Sequence, residues 1–139
     1  MERYIFDASF IVAFIATDEE EDTTHYYFNK YFANQAEIYI LQLTDFEVAN
    51  VIRNLVLKKR LTKKQAMNLL KLYKSYEFQI LEPDLSKAMK LSLKFNISIY
   101  DASYLAACIE EKIPLLTFDK KLDALTQTCF NSTNINSKD

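Results

Sequence analysis

The sequence predicts an α/β domain built on a mostly parallel sheet. Three observations carry that reading. Short apolar runs with β-like content recur at residues 3–6, 37–43, 78–81 and 113–118. The stretches between them place apolar residues at helical spacing. Strands that alternate with helices favour parallel pairing through helical crossovers.

Taken in order, residues 3–6 read as a short buried strand and residues 9–16 as a helix. The acidic run from Asp18 to Asp22 reads as a solvated loop or first turn, where acids complement the helix dipole. Residues 23–33 look helical and are rich in Tyr and Phe. After the strand at 37–43, a helix is expected over 46–58, with Val48, Val51, Ile52, Leu55 and Val56 on one face and Glu47, Asn50 and Asn54 on another. Ala66, Leu69, Leu70 and Tyr73 give residues 62–76 a second amphipathic face, so the two helices should form a hairpin turning near Arg60 and Leu61.

The strand at 78–81 is closed by Glu82-Pro83-Asp84. Residues 85–95 and the alanine-rich stretch 101–111 read as helices. Pro114 sits near the start of the strand at 113–118, where proline is tolerated. A short helix is expected over 119–125, followed by a polar tail over 126–139 that holds at most a last short strand before fraying.

A chain of 139 residues fits one domain, and 50% hydrophobic content suffices for a sizeable core. Cys108 and Cys129 lack the close spacing of zinc or redox motifs, and the one histidine, His25, reads as a polar surface residue. Cys108 lies in an apolar stretch and reads as reduced, buried filler. The chain contains no glycine. Phosphate-cradling glycine loops are thereby excluded, and helices must close on Asn, Lys or other residues. A net charge of −2 gives no global attraction for nucleic acid. The start of the chain shows no signal peptide, and no run approaches the ~20 apolar residues that span a bilayer. A cytoplasmic protein without membrane association is the expectation.

Four acids stand out by their surroundings: Asp7 in Ile5-Phe6-Asp7-Ala8-Ser9, Glu47 in Phe46-Glu47-Val48-Ala49-Asn50, Asp101 in Tyr100-Asp101-Ala102-Ser103-Tyr104, and Asp119 in Thr117-Phe118-Asp119-Lys120. Asp7 and Asp119 close apolar strands, and sites in open α/β sheets form beyond the carboxyl ends of strands. Glu47 and Asp101 are expected in first helical turns, able to converge there. Each acid taken singly is more often a helix cap: Thr44 and Glu47, and Ser98 and Asp101, have capping-box spacing, and Asp7 and Asp119 fit N-caps. Gathered together, they form an oxygen-only pocket suited to a hard divalent cation. Such crowding raises carboxylate pKa values unless cations bind.

These motifs, in this order, resemble the PIN domain family, in particular the small VapC-type toxin ribonucleases. The matching pieces also include the helix Glu47-Val48-Ala49-Asn50-Val51-Ile52-Arg53 and the segment from Pro114 to Leu122. The resemblance covers residues 1–125 as a single domain and implies a three-layer α/β/α fold. It implies metal-dependent endoribonuclease chemistry with one or two Mg²⁺ or Mn²⁺ ions at Asp7, Glu47, Asp101 and Asp119. Asp7 and Asp101 are expected as direct ligands, with Glu47 or Asp119 acting through water. Ser9 and Thr117 match supporting hydroxyl positions, and Asn50 joins them on the Glu47 face. RNA substrate, a 5′-phosphate product, a homodimer and a small antitoxin partner follow from the same likeness. Family members usually continue with a glycine and a last strand, which residues 126–139 match poorly.

Arg53, Lys58, Lys59 and Arg60, with Lys63 and Lys64, are candidates for contacts to RNA phosphates, against the plainer reading of a solvated helix end. Tyr26, Tyr27 and Tyr31 are candidates for base stacking, against the commoner roles of core or partner surface. Two other functions stay open: a PIN nuclease of RNA processing outside a toxin pair, and a catalytically silent RNA- or protein-binding module.

Overall fold

The computed structural model describes residues 1–16 and 22–136, of which 131–136 are described as helix backbone alone. The elements run β1 (Glu2–Phe6), α1 (Ala8–Ile15), α2 (Asp22–Phe32), β2 (Ala36–Leu41), α3 (Gln42–Leu57), α4 (Lys63–Ser75), β3 (Gln79–Leu81), α5 (Leu85–Phe95), α6 (Ile99–Glu111), β4 (Leu115–Leu116) and α7 (Lys120–Asn136). The expectation for the acidic run falls largely on residues 18–21, outside the described residues; Asp22 opens α2.

The sheet has the order β3-β2-β1-β4, and every pairing is parallel. Its two faces are read directly from period-2 alternation. Tyr4 and Phe6 of β1, with Ala36, Ile38 and Ile40 of β2, pack into a core shared with α1 to α4. Ile5 and Leu41 point the other way, into a core with Tyr104, Cys108 and Leu122 of α6 and α7. Burial on both faces explains why these strands read as near-continuous apolar runs. The three-layer α/β/α arrangement follows.

The first core is unusually aromatic. Phe28, fully buried, stacks on Phe14 at 3.9 Å between ring centroids and meets Phe6 at 5.0 Å. Tyr27 meets Tyr4 edge-on at 4.8 Å, and Tyr31 meets Phe78 at 5.1 Å. His25 packs edge-on against Phe14 at 5.0 Å rather than standing free on the surface.

Without glycine, the left-handed positions fall to other residues. Asn34, Lys59, Asn96 and Lys112 have φ of 58°, 61°, 53° and 56°. Asn96 and Lys112 close α5 and α6. Asparagine tolerates this conformation; lysine carries the Cβ penalty.

Several boundaries differ from the sequence expectation: the strand expected over 113–118 is only Leu115–Leu116, and α6 begins at Ile99 instead of residue 101. α3 begins at Gln42, not near residue 46, and β2 ends at Leu41. The Thr44 hydroxyl accepts from the Leu41 backbone N–H at 3.0 Å, so Thr44 caps from within the first turn instead of preceding the helix. Glu47 therefore lies in the second turn of α3. At the other end, residues 126–136 continue α7 as helix, where a fraying polar tail holding at most a last short strand was expected. Leu122 and Thr126, both buried, and Phe130, packed on the second core, form a stripe at i, i+4 and i+8 that holds this helix to the sheet.

Candidate active site

The site is assembled at the carboxyl end of the sheet. Asp7 leaves β1 as the N-cap of α1, and its Oδ1 accepts from the Phe10 backbone N–H at 3.0 Å and the Ser9 hydroxyl at 2.7 Å. The Thr117 hydroxyl donates to Oδ2. Ser9 and Thr117 then serve the neighbouring backbone: the Phe118 N–H reaches the Ser9 oxygen and the Asp119 N–H reaches the Thr117 oxygen, both at 3.0 Å. These bonds stitch the end of β1 to the end of β4 and fix a carboxylate that is only 7% exposed.

The remaining acids come from just before, or from the first two turns of, three other helices. Asp119 is exposed and precedes α7, where its Oδ1 accepts from the Leu122 N–H at 3.0 Å. Asp101 lies in the first turn of α6, whose N-cap Ser98 accepts from the Asp101 N–H at 3.1 Å. Glu47, half-buried on α3, accepts from the Tyr104 hydroxyl at 2.7 Å through Oε1. The capping roles of Asp7 and Asp119 are thus real, yet capping consumes only Oδ1 of each.

Electrostatics ties the four together. Burial pushes the Asp7 carboxyl above its ordinary range, against the Thr117, Ser9 and Phe10 hydrogen bonds, and the Asp119 charge adds to the rise. Glu47 is raised by burial, opposed by Tyr104, with Asp7 and Asp101 pushing further. Asp101 is raised by burial and then by Asp119 and Asp7, with Lys121 pulling the other way. Asp7, Glu47 and Asp101 are therefore each raised further by at least one other acid of the set.

The donors are all oxygens, the chemistry of a hard divalent cation. The spacing is open: among the described residues no three Asp, Glu, His or Cys side chains stand together as a ready-made ion cage.

The family model described as PIN domain matches residues 4–127. The chain belongs to the PIN domain family. It is similar to "Ribonuclease VapC3" of Pyrobaculum aerophilum, 29% identical over 126 residues, covering 86% of this chain and 92% of that one. Its fold is similar to the crystal structure of PAE2754 from Pyrobaculum aerophilum, with a TM-score of 0.70 and 24% identity over 96% of each chain.

In this PIN domain the sequence-based candidates part company. Ser9 and Thr117 sit on Asp7. Asn50 is exposed on α3 and makes no side-chain hydrogen bond among the described residues. Arg53, Lys58, Lys59 and Arg60 are exposed. At 1.5 Å per residue, Arg53 lies roughly 9 Å and Lys58 roughly 16 Å along α3 from Glu47, so Lys58, Lys59 and Arg60 are not brought to the acids. Tyr27 and Tyr31 are spent on the aromatic core, which leaves Tyr26, 56% exposed, as the exception, with Lys30 above its ring. Sequence reasoning missed Tyr104. Its hydroxyl bridges Thr44 at 2.6 Å and Glu47 at 2.7 Å while the residue is 1% exposed. The signal was its place one turn after Asp101 on the same helix face.

Among the described residues, no helix is long and apolar enough to cross a membrane.

Proposed function

We propose that this PIN domain is a divalent-metal-dependent endoribonuclease and the toxin of a toxin–antitoxin pair. One observation carries the reading: Asp7, Glu47 and Asp101, from three separate elements, are raised in pKa by burial and by one another's charge, with Asp119 adding to Asp7 and Asp101. Carboxyls perturbed by burial and by one another's charge are a mark of functional sites. The printed name of Ribonuclease VapC3 supports RNA as the substrate class, and the toxin role rests on the likeness of the motifs to VapC-type proteins.

Asp7 and Asp101 act as direct metal ligands, and Glu47 or Asp119 acts through water. The chemistry supplied by one or two bound Mg²⁺ or Mn²⁺ ions is activation of water, polarisation of a phosphoryl oxygen and stabilisation of the leaving 3′-oxygen, with a 5′-phosphate product. Ser9 and Thr117 hold Asp7 in one orientation, so its carboxylate needs little reorganisation at the moment of reaction. Residues 1–125 form the nuclease domain, and a homodimer, a small antitoxin and a cytoplasmic setting complete the proposal.

Asp7→Asn and Asp101→Asn are the test. Asn keeps N-cap ability, so Asp7→Asn should fold, and Asp101→Asn leaves the Ser98 cap of α6 in place. Both should lose Mn²⁺-dependent RNA cleavage; wild-type cleavage by either folded variant would reject the site. A second reading, a silent RNA- or protein-binding PIN module, draws on the absence of a ready-made three-acid cage among the described residues. Failure of the wild-type protein to cleave RNA with Mn²⁺ present would favour it.

A further inference from the structure

Tyr104 is fully buried in α6, and its hydroxyl touches Thr44 of α3 at 2.6 Å and Glu47 of α3 at 2.7 Å. The direction of every proton in this chain of contacts follows from the donors available. The Leu41 backbone N–H donates to the Thr44 oxygen at 3.0 Å. A tyrosine hydroxyl has one proton, and Tyr104 gives it to Glu47 Oε1. The Thr44 proton must then go to the Tyr104 oxygen. The result is a one-way series: Leu41 N–H to Thr44, Thr44 O–H to Tyr104, Tyr104 O–H to the Glu47 carboxylate.

Burial alone does not call for this arrangement. A buried tyrosine needs a partner for its hydroxyl, and Thr44 alone supplies one. The second bond reaches out to a half-buried carboxylate on another helix. It holds Oε1 of Glu47 and leaves Oε2 without a hydrogen bond among the described residues. Tyr104 also lies one turn beyond Asp101 on α6, so one helix face carries one acid of the site and holds a second. Bonds that fix a ligand from behind are worth about 10–100-fold in metal affinity or activity where they have been removed.

We infer that Tyr104 is a positioning residue of the site, which, oriented by Thr44, holds Glu47 by one oxygen and presents the other to the bound cation or its water. The inference rests on the metal-dependent reading above.

Tyr104→Phe keeps the ring and removes the hydroxyl. Mn²⁺ binding is measured by titration calorimetry on RNA-free protein, and cleavage by kcat and KM. The expected result is Mn²⁺ affinity lower by about tenfold or more, kcat reduced with the KM for RNA unchanged, and no further loss of affinity when the change is added to Glu47→Gln. Thr44→Val should move affinity in the same direction, and Thr44→Ser, which keeps the hydroxyl, should recover most of it. A purely structural tyrosine would lower the melting temperature and leave the Mn²⁺ affinity and kcat of the folded fraction at wild-type values, which overturns the inference. Equal losses in the wild-type and Glu47→Gln backgrounds overturn it too. Should Tyr104→Phe fail to fold, Thr44→Val decides in its place, wild-type affinity counting against. Asp7→Asn separates the two failures. If it abolishes Mn²⁺ binding while Tyr104→Phe does not, only the role of Tyr104 falls; if wild-type protein binds no Mn²⁺, the metal reading falls and takes this one with it.

Discussion

The Thr117 hydroxyl donates to Asp7 Oδ2 across two adjacent strand ends, while the Thr117 oxygen accepts the Asp119 N–H at 3.0 Å. One side chain thus serves both the most buried acid of the site and the backbone of the most exposed. Thr117→Val keeps the shape and removes both bonds. The predicted cost is about 1.5–3 kcal/mol, as for hydrogen bonds to charged groups. Urea denaturation of metal-free protein measures it, and a loss below about 0.5 kcal/mol would show that solvent replaces the hydroxyl.

Stability should depend on pH in the direction opposite to that of ordinary salt-bridged acids. Asp7, Glu47 and Asp101 have folded pKa values raised above ordinary values of 3.8, 4.5 and 3.8. In the window between the unfolded and folded values the folded chain binds more protons than the unfolded one, so stability falls as pH rises. The penalty is absent below the unfolded values and complete above the folded ones. Metal-free wild-type protein is predicted to lose more stability from about pH 4 towards neutrality than Asp7→Asn/Glu47→Gln/Asp101→Asn. Parallel stability curves for the two proteins would refute the prediction.

Divalent ions should reverse that penalty. Ligand binding to the folded state alone adds about 2.7 kcal/mol at a hundred times Kd. The melting temperature of the wild-type protein should rise with Mn²⁺ and return with EDTA, and Asp7→Asn should show little of the rise. Thermal scans with and without the ion measure this, and an equal rise in the variant would place the ion elsewhere.

Lys112 closes α6 at φ 56° and is exposed. A left-handed conformation costs a non-glycine residue about 1–2 kcal/mol, partly offset by the greater freedom glycine gives the unfolded chain. Lys112→Gly is predicted to stabilise the protein by roughly 0.5–1 kcal/mol, read from denaturation midpoints at constant slope. A destabilised variant would mean that the lysine side chain makes up for its own backbone.

The sheet and its layers were legible because both-sided burial writes itself as plain apolar runs, and Ile5 beside Phe6 serves two cores at once. The places of Asp7, Asp101 and Asp119 in the fold were legible because strand ends and helix starts have distinct local chemistry. Boundaries were harder. Thr44 looked like a residue preceding a helix, whereas its hydroxyl caps Leu41 from inside the first turn. The final helix was hidden by polar composition, although Leu122, Thr126 and Phe130 carry its period. Tyr104 was invisible for another reason: nothing local says that a tyrosine on α6 will meet a glutamate on α3. The tyrosines of α2 misled in the opposite sense, since an aromatic stripe reads alike whether it meets bases or Phe78.

Asp7 and Asp119 lie more than a hundred residues apart in sequence, and the bond from Thr117 adds a side-chain link where their two strands already pair. A polypeptide still emerging from the ribosome, or one cut short before β4, lacks both that bond and one member of the acidic set. Whatever reactivity the finished pocket has, its precursors made only as far as α6 do not share it.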